Sequence, residues 1–179
     1  MKITIAALLP AIAFAYTPNA GISVAAKGMS LLKPIFKAEA ALQAAALGAI
    51  SNVDKQSIID EVKDAKTKNK ALIYTYGLSP FSSEAVKILE GTGYEFTRIE
   101  LGAEWFLLGG KESVTRVVLS EEVESGSTSL PKIFIGGNCI GGCSELSDLV
   151  KNGKLESMLT KAKVPKKGGN KKPAFSLFN

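Results

Sequence analysis

The sequence predicts an α/β domain in which a central four-stranded mixed sheet is flanked by helices. Three observations point there. From residue 51 to residue 101 the apolar spacing alternates between helical and strand-like, and a strand, a crossover helix and a second strand imply a parallel pair with a right-handed connection. Two short strand-like runs, residues 133–135 and 139–140, flank the turn Gly136-Gly137-Asn138 and read as a hairpin. Helical patterns fill the chain between and after these strands.

Each element has its own signal. Ser51 and Asp54 form a Ser-x-x-Asp start, and Ile58, Ile59, Val62 and Ala65 follow at helical spacing, which predicts a helix of about four turns. Residues 71–76 read as a buried strand. Ser79-Pro80 opens a second helix with an apolar stripe of Phe81, Ala85, Ile88 and Leu89, and Gly91 ends it. Residues 94–101 are strand-like. Trp105, Phe106, Leu107 and Leu108 form an apolar loop between Gly102 and Gly110, and Val114, Val117 and Val118 mark a third helix. Pro131 precedes the hairpin. Gly141-Gly142 then opens a helix with Leu146, Leu149 and Val150 on one face, and a last short helix carries Leu155, Met158 and Leu159. From Lys163 onward the glycine, proline and lysine content predicts disorder. Gly109-Gly110, Gly136-Gly137 and Gly141-Gly142 read as turns, and no internal repeat or nucleotide-binding glycine pattern occurs.

Composition narrows the chemistry. The 179 residues, 46% hydrophobic, suffice for one core plus extensions, over residues 51–162. The net charge of +5 is uneven, because Lys161, Lys163, Lys166, Lys167, Lys171 and Lys172 sit in one acid-free stretch. The chain has no histidine and only Cys139 and Cys143 as thiols. Zinc fingers, histidine acid–base catalysis and a disulfide-dense framework are thereby excluded.

The first fifty residues read as an address. Met1-Lys2, an apolar run at residues 3–13 too short to span a bilayer, and Ala11-Ile12-Ala13 as a cleavage site make a signal peptide of residues 1–13. Residues 14–50 are alanine-rich with Lys27, Lys33 and Lys37 and the single acid Glu39, as transit segments are. The stretch AIAFAYTP resembles the bipartite plastid-targeting signal of algae with secondary plastids; plain secretion and a retained amphipathic helix at residues 31–50 are the other readings.

Three patches carry a resemblance over about residues 54–159. IYTYGLSPFSSEAVKIL is similar to the active-site strand, loop and helix of glutaredoxins, SLPKIFIGG to their Thr-Val-Pro segment, and CIGGCSEL to their glycine pair and glutathione-binding helix start. The resemblance implies a thioredoxin-like, glutaredoxin-type fold with glutathione as the ligand; no metal is expected, because Ser79 stands where a cluster-holding thiolate would. It implies a cis Pro131, with Leu130 offering its backbone to glutathione. It also implies that Gly142, Cys143 and Ser144 meet the γ-glutamyl carboxylate at a helix N-terminus, where free N–H groups favour an anion.

The departures bear on activity. The family presents Cys-Pro-Tyr-Cys or Cys-Gly-Phe-Ser, and this chain has Ser79-Pro80-Phe81-Ser82. A cysteine there works because its thiol pKa, about 8.5 unperturbed, is lowered until thiolate prevails, and because sulfur forms a mixed disulfide. Serine does neither, and it cannot replace the thiolate that holds an iron–sulfur cluster in monothiol relatives. The family's lysine for the glycine carboxylate of glutathione is Tyr76 here.

Ser79 therefore reads first as a helix cap with proline after it. The alternative is a glutathione-transferase role, since that family, built on the same fold, uses a serine or tyrosine hydroxyl at this place to stabilise bound thiolate. SPFS and GYEF resemble its plant-type members, but those carry a long helical second domain and Glu-Ser where this chain has Cys143-Ser144. Cys143, at a helix start, is expected to gain thiolate character and to be a candidate for residual oxidoreductase activity; packing roles for Cys139 and Cys143, or a disulfide between them, are the other readings. The expected function is a plastid-targeted binding or regulatory module that has lost thiol–disulfide catalysis. Partners are glutathione and a protein met through residues 105–108 or the basic tail, with core packing as the alternative for that loop. Phe175, Leu177 and Phe178 after the lysines add a docking peptide or an anionic-membrane contact. Nucleic acid is not expected, because no basic stripe interleaved with aromatics occurs.

Overall fold

The structure, a computed structural model, describes residues 54–102 and 110–168. The targeting segments, Ser51, the 105–108 loop and the tail beyond Gly168 lie outside the described residues. Element order is α1 (Lys55–Lys68), β1 (Ala71–Tyr76), α2 (Pro80–Gly91), β2 (Thr97–Leu101), α3 (Gly110–Glu121), β3 (Lys132–Ile135), β4 (Asn138–Gly141), α4 (Cys143–Lys151) and α5 (Leu155–Lys161). The sheet order is β2-β1-β3-β4. β1 and β2 are parallel with Tyr74 opposite Ile99, and β3 runs antiparallel to β1 with Leu72 opposite Phe134. This is the mixed thioredoxin-like sheet that the strand–helix–strand order and the hairpin imply.

Alternation along the strands builds two cores. Ile73, Ile133 and Ile135 point to one face, where Ala85, Ile88 and Leu89 of α2, Leu146 of α4 and Leu159 of α5 cover them. Leu72, Tyr74 and Phe134 point to the other, under Ile58 and Val62 of α1 and Val114, Val118 and Leu119 of α3. Gly136 and Gly137, at φ 60° and 82°, make the two-residue hairpin turn, a left-handed pair that side chains disfavour.

Three boundaries differ from the sequence reading. The first helix is capped by Asp54 itself, whose carboxylate accepts from the Gln56 N–H at 2.9 Å, so the cap falls on Asp54. The second strand begins at Thr97, because Tyr94 and Glu95 pair elsewhere. That partner is the segment expected to be disordered from Lys163. Val164 is buried in the core, the Glu95 N–H donates to the Pro165 carbonyl at 2.7 Å, and the Lys167 N–H donates to the Gly93 carbonyl at 2.8 Å. One apolar residue within a lysine-rich run holds this strap, aided by Lys166 over the Tyr94 ring and Lys167 over Phe96.

Candidate functional site

Strand register gathers the candidate site at the end of β1 that carries Tyr76. Tyr74 pairs with Lys132 and Ile133 with Gly141, so Tyr76, Pro131 and Gly142 converge there. The Leu130–Pro131 bond is cis, and a Cβ on Gly142 would lie 3.1 Å from the Pro131 carbonyl oxygen. Pro131 is buried and Leu130 is half-buried against the second core. Buried Ser127 and Thr128 steady the approach, with the Thr128 carbonyl accepting from Arg116 Nε at 3.2 Å.

Ser79 and Ser82 are both engaged in the turn that starts α2. The Ser79 hydroxyl accepts from the Ser82 N–H at 3.3 Å, and the Ser79 N–H donates to the Tyr76 carbonyl at 3.0 Å. The buried Ser82 hydroxyl in turn accepts from the Tyr76 N–H at 3.1 Å. The second serine thus ties the strand end to the helix head. Glu100 lies across this turn, since a Cβ on Gly77 would clash with its carboxylate, and it is ion-paired with Arg98.

The head of α4 is closed by its own side chain. Glu145 Oε2 accepts from the Gly142 N–H and from the Ser144 hydroxyl, each at 2.9 Å, which places a carboxylate at the positive end of the helix. Cys143 points the other way. Its side chain is 3% exposed within the core, and the Ser147 hydroxyl donates to its carbonyl at 2.8 Å. Burial, then the buried Glu84 carboxylate of α2, and also Glu145, push the Cys143 thiol up to about 11, against the lowering contributed by Ser147.

The expectation of thiolate character at Cys143 is therefore corrected: the thiol faces the core and carboxylates rather than the helix dipole. Cys139 is also raised, chiefly by burial, with the Gly141 backbone and Lys132 acting in the opposite sense. Both cysteines are free, and they pack on opposite faces of the sheet, Cys139 against one core and Cys143 within the other. A disulfide between them does not form. Among the described residues no cluster of histidine, cysteine or acidic side chains is suited to hold a metal ion.

No protein-family model matches the chain. Glutaredoxin-C2 of Arabidopsis thaliana is 30% identical over 104 residues, 58% of this chain and 87% of that protein. The chain belongs to the glutaredoxin family. Monothiol glutaredoxin-S12, chloroplastic, of Arabidopsis thaliana is 29% identical over 117 residues, 65% of this chain and 62% of that protein. Among solved structures, oxidized glutaredoxin 2 from Chlamydomonas reinhardtii is 25% identical with a TM-score of 0.54, covering 62% of this chain and 98% of that one.

Within this glutaredoxin the structure places Tyr76, Ser79, Pro131, Gly142 and Ser144 at one end of the sheet and packs the Cys143 side chain into the core. Three carboxylates, Glu84 beside the buried Cys143 thiol and Glu100 and Glu145 at the two helix heads, escaped the sequence reading. Glu84 was legible, because it falls three residues after Phe81 and one before Ala85, on the apolar stripe. Glu145 was legible as the third residue of a helix opened by Gly142. Glu100 was not, since only the parallel pairing of β1 with β2 brings it across the Gly77 turn.

Proposed function

We propose that this glutaredoxin domain no longer runs thiol–disulfide exchange and serves as a binding or regulatory module that retains glutathione weakly. The observation that carries the reading is the head of α2, where both family thiol positions are hydroxyls built into the turn, Ser79 as cap and Ser82 as tie to Tyr76. No thiol stands there. The two thiols in the chain are held as thiols by burial and neighbouring carboxylates.

Retention of Pro131 beside the α4 head, its carbonyl close against Gly142, supports a surviving place for the tripeptide backbone. Two features weaken it. Tyr76 replaces the cation that the family resemblance calls for, and Glu145 already occupies the helix N-terminus with negative charge. An anion arriving at Cys143 and Ser144 would be met by backbone N–H groups rather than by the thiol.

Calorimetric titration with reduced glutathione tests the binding half: heat that saturates in the millimolar range supports it, and none at all leaves a bare protein-binding scaffold. Turnover of a glutathione-mixed disulfide tests the other half. Rates typical of the family that survive Cys143→Ser would contradict loss of catalysis.

One observation favours a transferase as the second reading. The Ser79 oxygen accepts from Ser82 N–H, which leaves its own proton free to be given to a thiolate. That reading requires conjugation of glutathione to an electrophile, abolished by Ser79→Ala. Plastid delivery is part of the proposal, supported by the composition of residues 1–50 and by a relative described as chloroplastic. Import of a fluorescent fusion of residues 1–50 tests it, and secretion of the fusion would oppose it.

A further inference from the structure

We propose that the end of the domain opposite Ser79 docks on an anionic lipid surface, leaving the Ser79 end turned toward solution. Register defines that pole. Ala71 pairs with Ile135, so Lys70, Gly136 and Gly137 lie at the far end of the sheet from Tyr76, and Lys63, Lys66 and Thr67 complete a cleft of about 320 Å³ with them. β2 is parallel to β1 with Leu72 opposite Thr97, so the chain at residues 93–96 is at the same end. The strap binds there and brings Lys166 and Lys167. Lys161 and Lys163 join them, because they flank Ala162, whose Cβ would be 3.2 Å from a Cβ on Gly136.

The charge at this pole is only partly offset. Asp64 pairs with Lys68, Glu122 with Lys66, and Glu156 with Lys166 at 3.5 Å, while Glu90 and Glu95 are the exposed acids nearby. Lysines outnumber these carboxylates. Lys63, Lys70, Lys161 and Lys163 carry no ion pair among the described residues. Burial of Val164 holds the strap lysines in place, so the folded domain, and not a tail alone, presents the charge.

The type of charge favours lipid headgroups over nucleic acid. All of these cations are lysines, compact point charges without the planar fork that reads phosphate and base edges. Among the described residues of this pole no exposed aromatic is available for base stacking, since Tyr94 is buried and Phe96 is half-buried under Lys167. Beyond Gly168 the sequence adds Lys171 and Lys172 and then Phe175, Leu177 and Phe178, a basic run followed by apolar residues, which suits a headgroup layer above acyl chains.

The test is co-sedimentation of the full chain with phosphatidylcholine vesicles containing increasing phosphatidylglycerol. Binding should require the anionic lipid and fall with salt. The triple variant Lys63→Glu, Lys70→Glu and Lys161→Glu should weaken it at least about tenfold, given the worth of each lysine near a charged surface. Lys55→Glu with Lys111→Glu, away from this pole, should leave it unchanged. The neutral Lys→Gln triple, which spares the fold if reversal disturbs it, should act in the same direction and less strongly. Equal binding to pure phosphatidylcholine, absence of binding, an unchanged triple variant, or tighter binding to a duplex oligonucleotide than to vesicles would overturn the proposal. None of these outcomes bears on the loss of thiol turnover.

Discussion

The heads of α2 and α4 stand at the same end of the sheet and have the same backbone task, yet they are closed by different chemistry. At α2 a neutral hydroxyl, Ser79, accepts the N–H of Ser82, and proline occupies the first helical position. At α4 a carboxylate, Glu145, reaches back to the Gly142 N–H and gathers the Ser144 hydroxyl. A helix N-terminus can lower the pKa of a thiol or bind an anion; here one head lacks the thiol and the other supplies its own anion. On the proposed reading, fold and catalysis have separated. The cap hydrogen bonds and the apolar stripes keep the geometry without any sulfur.

Several changes would break or sharpen that contrast. Leu146, fully buried under the α4 head, anchors it to the sheet, and Leu146→Ala should cost roughly 2–5 kcal/mol in urea unfolding. A cost below about 1 kcal/mol would mean that packing does not hold this head. Ser79→Cys should restore what the α2 head lacks: alkylation of the new thiol at pH 8 should run about 100-fold faster than that of Cys143, because far more of it is thiolate. Comparable rates would show that Glu100 suppresses the helix effect.

The pH dependence follows from Cys143. Burial keeps its proton in the folded chain up to about 11 against an ordinary 9.0, so the unfolded chain loses its proton first. Stabilisation from the neutral thiol is full below about pH 9 and is lost as pH rises toward 11. Tyr74, raised from 10.0 to about 12 mainly by burial and then by Glu61 and Glu122, extends the loss upward. Urea midpoints should fall over this range, less steeply in Cys143→Ala; parallel slopes would contradict the assignment.

Smaller effects separate the two caps. Ser79→Ala should cost about 1 kcal/mol by removing the cap, with Ser79→Asp restoring most of it. Glu145→Gln should cost a few tenths of a kcal/mol, since it removes only the charge at the helix end, and should tighten glutathione binding measured by calorimetry. Unchanged affinity in Glu145→Gln would show that the carboxylate does not oppose the ligand.

Much of this was legible in the sequence, and the reasons for the rest are physical. Periodicity gave β1, the apolar stripe of α2 and the hairpin, because burial on a sheet or a helix face leaves a short-range pattern. The resemblance supplied the cis Pro131 and its neighbourhood. What escaped depended on pairing between distant segments. Val164 sits among lysines and reads as tail until Gly93 and Glu95 offer it backbone partners. Cys143 reads as a favoured thiol until the packing of α4 against α2 turns it into the core beside Glu84. A helix start can be read locally, whereas the side on which its first residue is buried cannot.

The central claim is that the hydroxyls of Ser79 and Ser82 cannot carry electrons between thiols. Turnover of a glutathione-mixed disulfide, measured for the wild-type chain and for Cys139→Ser with Cys143→Ser, tests it most directly. Both proteins should match the rate of glutathione alone, whereas turnover well above that rate, in either protein, would contradict the account.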